Sequence, residues 1–116
     1  MKLAYIAGPY TADTPEQINA NVTAAIDVQA KLMARGCAVF CPHANYGHGL
    51  AAVDYDAVMA MCFTHLENAD VVVLLPGWKK SQGACREHGF AAALHKRVFS
   101  WASEQEALEL YLREGD

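Results

Sequence analysis

Positive charge is scarce in this chain of 116 residues. It contains 9 Lys and Arg against 13 Asp and Glu, so the net charge is −4 with neutral histidine. Binding a nucleic-acid polymer through its phosphates requires clustered Lys and Arg. The charge balance therefore argues against a nucleic-acid partner, although a small anionic ligand is still compatible with it, because a local field can oppose the net charge.

Long apolar runs are also absent. No segment reaches the ~18 apolar residues that a membrane-spanning helix needs, so no membrane partner is expected. The first apolar run, Leu3–Ala7, is ended by Gly8-Pro9. It is too short for a signal peptide and is predicted to be the first strand. With 53% hydrophobic and 19% charged residues, the sequence predicts one folded domain over 1–116.

Cysteine is too sparse for a disulfide framework. The four cysteines lie in apolar or helical contexts, which is typical of reduced thiols in a cytoplasmic protein. A zinc site built from Cys37, Cys41, His43 and His48 has no paired C-x-x-C element, and two of its ligands would lie inside a strand. We therefore predict no metal and no cofactor.

Apolar periodicity predicts an alternation of strands and helices. The predicted strands cover residues 2–7, 37–41, 71–75 and 97–99, and the predicted helices cover 15–35, 55–68, 82–95 and 103–113. Thr14 is expected to cap the first helix and Gly36 to end it, and Ser103, with Glu106 three residues on, is expected to open the last helix as a capping box. The order β-α-β-α-β-α-β-α indicates a parallel sheet with helices on both faces. Ligands of such sheets bind beyond the carboxyl ends of the strands, where the first three loops converge. The second of these loops is predicted to run from His43 to Asp54.

The segment from Ala69 to His88 carries the strongest signal for a binding site. A buried strand breaks at Pro76-Gly77, and a helix restarts with Ser81 as its N-cap. Helix starts bind anions through their free N–H groups. Glu87 lies about two turns in, where its carboxylate is expected to lean back over a gap left by Gly83 and Ala84.

Glu87 is open to two interpretations. A carboxylate on an apolar helix face is unfavourable unless it is paired or used chemically. It either pairs with Arg86, Lys80 or a neighbouring helix in a structural role, or it acts as a nucleophile.

Two further loops contain residues suited to ligand contact. At the end of the first strand, Gly8 permits close approach of a ligand, and Tyr10 can stack on a base, although a plain turn with a surface tyrosine explains the same residues. The loop after the second strand adds polar and aromatic candidates, namely His43, Asn45 and Tyr46.

Two motifs resemble those of the nucleoside 2-deoxyribosyltransferase-like superfamily, in particular its small bacterial and phage branch. They are Y-I-A-G-P-Y near the N-terminus and A-D-V-V-V-L-L-P-G-W-x-x-S-x-G-A-x-x-E further on. The resemblance implies a flavodoxin-like three-layer α/β sandwich with a four- to five-stranded parallel sheet. It also implies a homo-oligomer, a dimer or tetramer, that cleaves or transfers at the N-glycosidic bond of a (deoxy)ribonucleoside or its 5′-monophosphate.

The resemblance also implies roles for single residues. Glu87 matches the nucleophilic glutamate, Tyr10 would position it, and Asp56 is the candidate acid for the leaving base. Substrate contacts are implied for the first loop and for the segment around the second helix start, namely Gly8, Pro9, Gly77, Trp78, Ser81 and Gly83.

One position departs from the superfamily pattern. Its members carry an aspartate eight residues before the aspartate of the A-D-V-V-V motif, and that position is Cys62 here. Asp56 or Asp54 is the nearest substitute. A non-catalytic nucleotide-binding module is therefore the second hypothesis, and a purely structural or partner-binding domain is the third.

Overall fold

The protein is built on a four-stranded parallel sheet. The computed structural model describes residues 1–46 and 54–114. The strand order is β2-β1-β3-β4, and every neighbouring pair is parallel. The strands are β1 (Leu3–Ala7), β2 (Ala38–Phe40), β3 (Val71–Leu74) and β4 (Arg97–Ser100). This confirms the predicted flavodoxin-like α/β fold.

Five helices in the described residues cover the sheet. They are α1 (Pro15–Ala34), α2 (Pro42–Tyr46), α3 (Tyr55–Glu67), α4 (Gln82–Ala93) and α5 (Gln105–Arg113). The start of α1 follows the predicted chemistry, because Thr14 Oγ1 accepts a hydrogen bond from the Gln17 amide at 3.1 Å. Its end does too, since Gly36 follows the helix with a left-handed φ of +89°.

The two faces of the sheet have separate cores. Alternate β1 residues point to opposite faces, so Ala4 and Ile6 pack with α1 and α5, whereas Tyr5 and Ala7 pack with α3 and α4. β3 is buried along its whole length, as expected for a strand covered on both faces. The unbroken apolar runs of the central strands therefore determine the three-layer architecture.

This arrangement defines a switch point in the strand connections. The loop after β1 leads to α1 on one face, and the loop after β3 leads to α4 on the other. Neighbouring parallel strands whose connections leave in opposite directions form a switch point, and ligands bind there beyond the carboxyl ends. The β1 and β3 ends are joined, because the Leu75 amide donates to the Ala7 carbonyl at 2.9 Å.

Two local predictions are wrong. The stretch predicted as a loop from His43 begins inside α2, and its residues 47–53 lie outside the described part of the chain. Ser103 does not cap α5; Glu104 stands at the N-cap, and its carboxylate accepts from the Ser100 amide at 2.8 Å instead. Among the described residues, no helix combines the length and apolar character required to cross a membrane.

Candidate active site

Glu87 is a buried acid held by a phenol. It lies on the inner face of α4 with Ala84 and Ala91 and is only 6% exposed. The Tyr5 side chain points from the middle of β1 to the same face, and its hydroxyl donates a hydrogen bond to Glu87 Oε2. The partner of Glu87 is thus on the central strand and is neither Arg86 nor Lys80, which the structural interpretation had offered.

The surroundings of the pair keep the Tyr5 phenol protonated and bring the pKa of Glu87 close to neutral pH. Burial raises the pKa of Glu87 to about 7, against the opposing effect of the Tyr5 hydrogen bond. Burial, and next the charge of Glu87, raise the pKa of Tyr5 above its ordinary value. Tyr5 is therefore a permanent donor at physiological pH, while Glu87 changes between its acid and carboxylate forms.

Cys62 is the third member of this cluster. It is 3% exposed on α3 and packs in the same core as Tyr5. Burial raises the pKa of the Cys62 thiol to about 11, against an opposing effect of Tyr5 and with a smaller increase from the charge of Glu87. The position that carries an aspartate in the superfamily pattern thus lies beside the Tyr5–Glu87 pair and holds a neutral thiol.

Aromatic side chains border the cluster toward β2 and α2. The ring of Phe40 stacks on Tyr5 at 5.8 Å and meets Tyr46 edge-on at 6.2 Å. Burial, followed by nearby Cys62, raises the pKa of Tyr46. The structure therefore brings the predicted contact residue Tyr46 next to the cluster.

The helix start also forms as predicted. Ser81 caps α4, and its Oγ accepts from the Ala84 amide at 3.2 Å. The chain reaches it through Gly77, which has a left-handed φ of +85°, and one 3-10 turn, Trp78–Lys80. Both lysines of that turn are exposed, which places two positive charges beside the free amides of a helix start.

Two of the predicted contact glycines, Gly8 and Gly83, lie against other parts of the chain. A Cβ at Gly83 would lie 3.5 Å from the Tyr55 hydroxyl, so α3 occupies the space predicted to be a gap for a ligand. A Cβ at Gly8 would lie 2.7 Å from Leu75 Cβ and clash with it. The close approach that Gly8 permits is therefore that of Leu75.

His43 holds the first loop. Its side chain is 3% exposed, and its Nε2 lies 2.9 Å from the Pro9 carbonyl oxygen. Burial lowers the pKa of His43, so the ring is neutral at pH 7 and donates Nε2–H to that carbonyl. The Tyr10 ring lies 6.0 Å from the His43 ring, whereas Asn45 is exposed on α2.

The structure does not bring Asp56 into the cluster. Its side chain is 84% exposed on the first turn of α3, and its carboxylate lies 3.7 Å from Arg86 Nη1. Asp54 is the N-cap of α3, and its Oδ2 accepts from the Ala57 amide at 3.2 Å. Both aspartates thus have local partners away from Glu87.

No metal centre forms among the residues that the structure describes. There, no three His, Cys, Asp or Glu side chains are placed to share an ion. His48 of the considered zinc set lies outside the described residues, and the four cysteines are free thiols.

Sequence reasoning missed Tyr5 and assigned its role to Tyr10. The available signal was the period-two alternation of β1, which puts Tyr5 and Ala7 on one face. A tyrosine inside a strand of small and aliphatic residues buries a hydroxyl, and a buried hydroxyl needs a partner.

The fold is a flavodoxin-like α/β domain that is similar to the fold of 2-deoxyribosyltransferases. One similar solved structure is the 2-deoxyribosyltransferase from Bacillus psychrosaccharolyticus, with a TM-score of 0.65 and 18% identity, covering 84% of this chain and 70% of that chain. Another is the 2-desoxiribosyltransferase from Leishmania mexicana, with a TM-score of 0.61 and 21% identity, covering 86% of this chain and 63% of that chain. At these identities the likeness shows the shared fold.

The sequence itself assigns the family. Residues 1–100 match the family described as a domain of unknown function, DUF4406, and the chain belongs to that family. Among curated proteins, no sequence matches this chain significantly.

Proposed function

We propose that this protein cleaves or transfers at the N-glycosidic bond of a (deoxy)ribonucleoside or nucleoside 5′-monophosphate, with Glu87 as the nucleophile. The observation that carries the proposal is the buried Glu87 carboxyl held by the Tyr5 hydroxyl. A desolvated carboxylate fixed by one donor is a stronger nucleophile than a solvated one. The shared fold with 2-deoxyribosyltransferases supports the same chemistry.

The geometry supports a two-step route. Tyr5 bonds Oε2, so Oε1 is the oxygen that attacks C1′ of the sugar. The bond from C1′ to the base breaks, the base leaves with the bonding electrons and takes up a proton from solvent, and a glycosyl ester forms on Glu87. Water then attacks C1′ and releases the sugar, or a second base attacks C1′ and gives a new nucleoside. In either case the Glu87 carboxylate is regenerated.

The start of α4 supports a phosphorylated substrate. Ser81 caps the helix, and Lys79 and Lys80 are exposed beside it. A 5′-phosphate bound there would accept hydrogen bonds from the amides at positions 82 and 83 and gain from both positive charges. We therefore place nucleoside 5′-monophosphates ahead of free nucleosides as substrates.

The test is release of free base from a panel of ribo- and deoxyribonucleosides and their 5′-monophosphates, with and without a second base. Glu87→Gln keeps the size and hydrogen-bonding shape of the side chain and should lower base release by ~10³-fold or more. Glu67→Gln, at an exposed glutamate at the end of α3, is the matched control and should retain full activity. Undiminished base release by Glu87→Gln would refute the nucleophile assignment.

One observation favours a second function, that of a non-catalytic nucleotide-binding module. Cys62 puts a neutral thiol beside Glu87, whereas glycosidases generally use a second carboxyl group. Calorimetry separates the two functions: tight binding of a nucleoside 5′-monophosphate without base release over days would support the binding module.

A further inference from the structure

Side chains from two helices hold the first loop, which follows β1 and contains Gly8, Pro9 and Tyr10. From α2, the His43 Nε2–H donates to the Pro9 carbonyl at 2.9 Å. From α1, the Asn21 Nδ2–H donates to the Tyr10 carbonyl at 3.1 Å. Two consecutive carbonyls of one short loop are thus bound from two separate elements.

Each of these side chains is oriented by a second contact. Gln17 Nε2 donates to Asn21 Oδ1 at 3.2 Å, so the amide nitrogen of Asn21 is the atom that faces the loop. The other ring nitrogen of His43, Nδ1, lies 4.0 Å from the Sγ of buried Cys41. Both ring nitrogens of His43 therefore lie against protein atoms, and the residue acts on a substrate only through the loop.

The first loop packs against the segment that leads to α4. A Cβ at Gly77 would lie 3.5 Å from Pro9 Cγ, which is ordinary contact distance. The same two segments are joined by the bond from the Leu75 amide to the Ala7 carbonyl. The position of the loop therefore helps to shape the edge of the sheet from which the helix of Glu87 departs.

We propose that His43 and Asn21 are positioning residues that hold the first loop in the conformation that binds a nucleoside 5′-monophosphate. A loop that is already ordered removes the entropic cost of ordering it on binding. If the released loop occupies the binding conformation about one tenth of the time, Kd rises about tenfold. The effect on binding rests on the proposed function, whereas the hold on the loop does not.

The hold is tested without ligand by backbone nitrogen-15 relaxation at the Gly8 and Tyr10 amides. The wild type should give order parameters of about 0.85, and His43→Leu and Asn21→Ala should each lower them toward about 0.6. His43→Gln keeps an N–H donor and should stay close to the wild type.

Phe99→Leu is the control for a general loss of stability. Phe99 is buried in β4, which does not adjoin β1, so the substitution removes core volume without touching the loop. Its order parameters at Gly8 and Tyr10 should match those of the wild type. Order parameters that stay near the wild-type value in His43→Leu and Asn21→Ala would overturn the proposal.

The effect on binding is measured by calorimetry with the common ribo- and deoxyribonucleoside 5′-monophosphates, in a Glu87→Gln background that prevents turnover. Adding His43→Leu or Asn21→Ala should raise Kd about tenfold, whereas His43→Gln and Phe99→Leu should leave it within about twofold. A mobile loop with the same Kd as the Phe99→Leu control would overturn the role in binding.

The two measurements separate this proposal from the proposed function. If none of these nucleotides binds, the nucleotide site is refuted, and with it the role in binding, while the order parameters still decide whether the two side chains hold the loop. If His43→Leu does not fold, Asn21→Ala decides, because Asn21 is only half-buried.

Discussion

Replacing Glu87 with glutamine is expected to change how the stability of the protein depends on pH. The pKa of Glu87 lies at about 7 in the folded protein against an ordinary value of 4.5. Between these values the folded state holds a proton that the unfolded state releases. Raising the pH through this window therefore lowers the free energy of unfolding by about 3 kcal/mol, at about 1.4 kcal/mol per pH unit.

Glutamine cannot ionise, so Glu87→Gln should escape this loss. Urea denaturation of both proteins at pH 5 and pH 8.5 measures it. The variant should gain about 2–3 kcal/mol relative to wild type between the two values, and Glu67→Gln should follow wild type. The difference between proteins is the useful quantity, because burial lowers the pKa of His43 from 6.5 and this destabilises the fold as the pH falls below that value. Parallel curves for wild type and Glu87→Gln would refute the buried-acid interpretation.

Three other substitutions test separate parts of the site. Tyr5→Phe removes the donor to Glu87, so the acid limb of the pH–rate profile should move to higher pH and base release at pH 7 should fall ~10-fold; an unchanged profile would contradict the assigned bond. Gly8→Ala puts a methyl group against Leu75 and should lower stability by ~1–3 kcal/mol in urea denaturation, whereas wild-type stability would show that the strand ends can separate. His43→Leu leaves the Pro9 carbonyl without its donor and should lower the free energy of unfolding at pH 7 by ~1–3 kcal/mol. A loss below about 0.3 kcal/mol would argue against a stabilising His43–Pro9 hydrogen bond.

The order of elements follows from the sequence because each signal is local. The apolar run Val71–Leu74 and the Thr14 cap need no distant partner to be recognised. The α5 start was mispredicted because two overlapping caps compete there. Ser103 and Glu106 fit a capping box, but the Glu104 carboxylate takes the Ser100 amide at the end of β4. Which residue caps α5 depends on where β4 ends, and the end of β4 is set by the tertiary structure.

The site was predicted only in part for the same reason. Glu87 stands out because it is a charged residue on the apolar face of its helix. Ser81 stands out because it fits the N-cap of the same helix. Tyr5 is recognised only once the face of β1 that meets α4 is known, and the role of Gly8 depends on the position of Leu75 in the next strand. The Asp56 interpretation did not anticipate that Arg86 lies within ion-pair distance across the helix pair.

The Tyr5–Glu87 hydrogen bond has a consequence for the folding of the protein. It joins positions 82 apart in the chain, and Tyr5 lies on a strand that is flanked by both β2 and β3. Such a contact stabilises the chain only after a long loop has closed, so it forms in the late steps of folding. An incompletely folded chain would carry Glu87 as an ordinary solvated acid. The near-neutral titration of one carboxyl is therefore a signature of the finished fold, and it can be followed without any substrate.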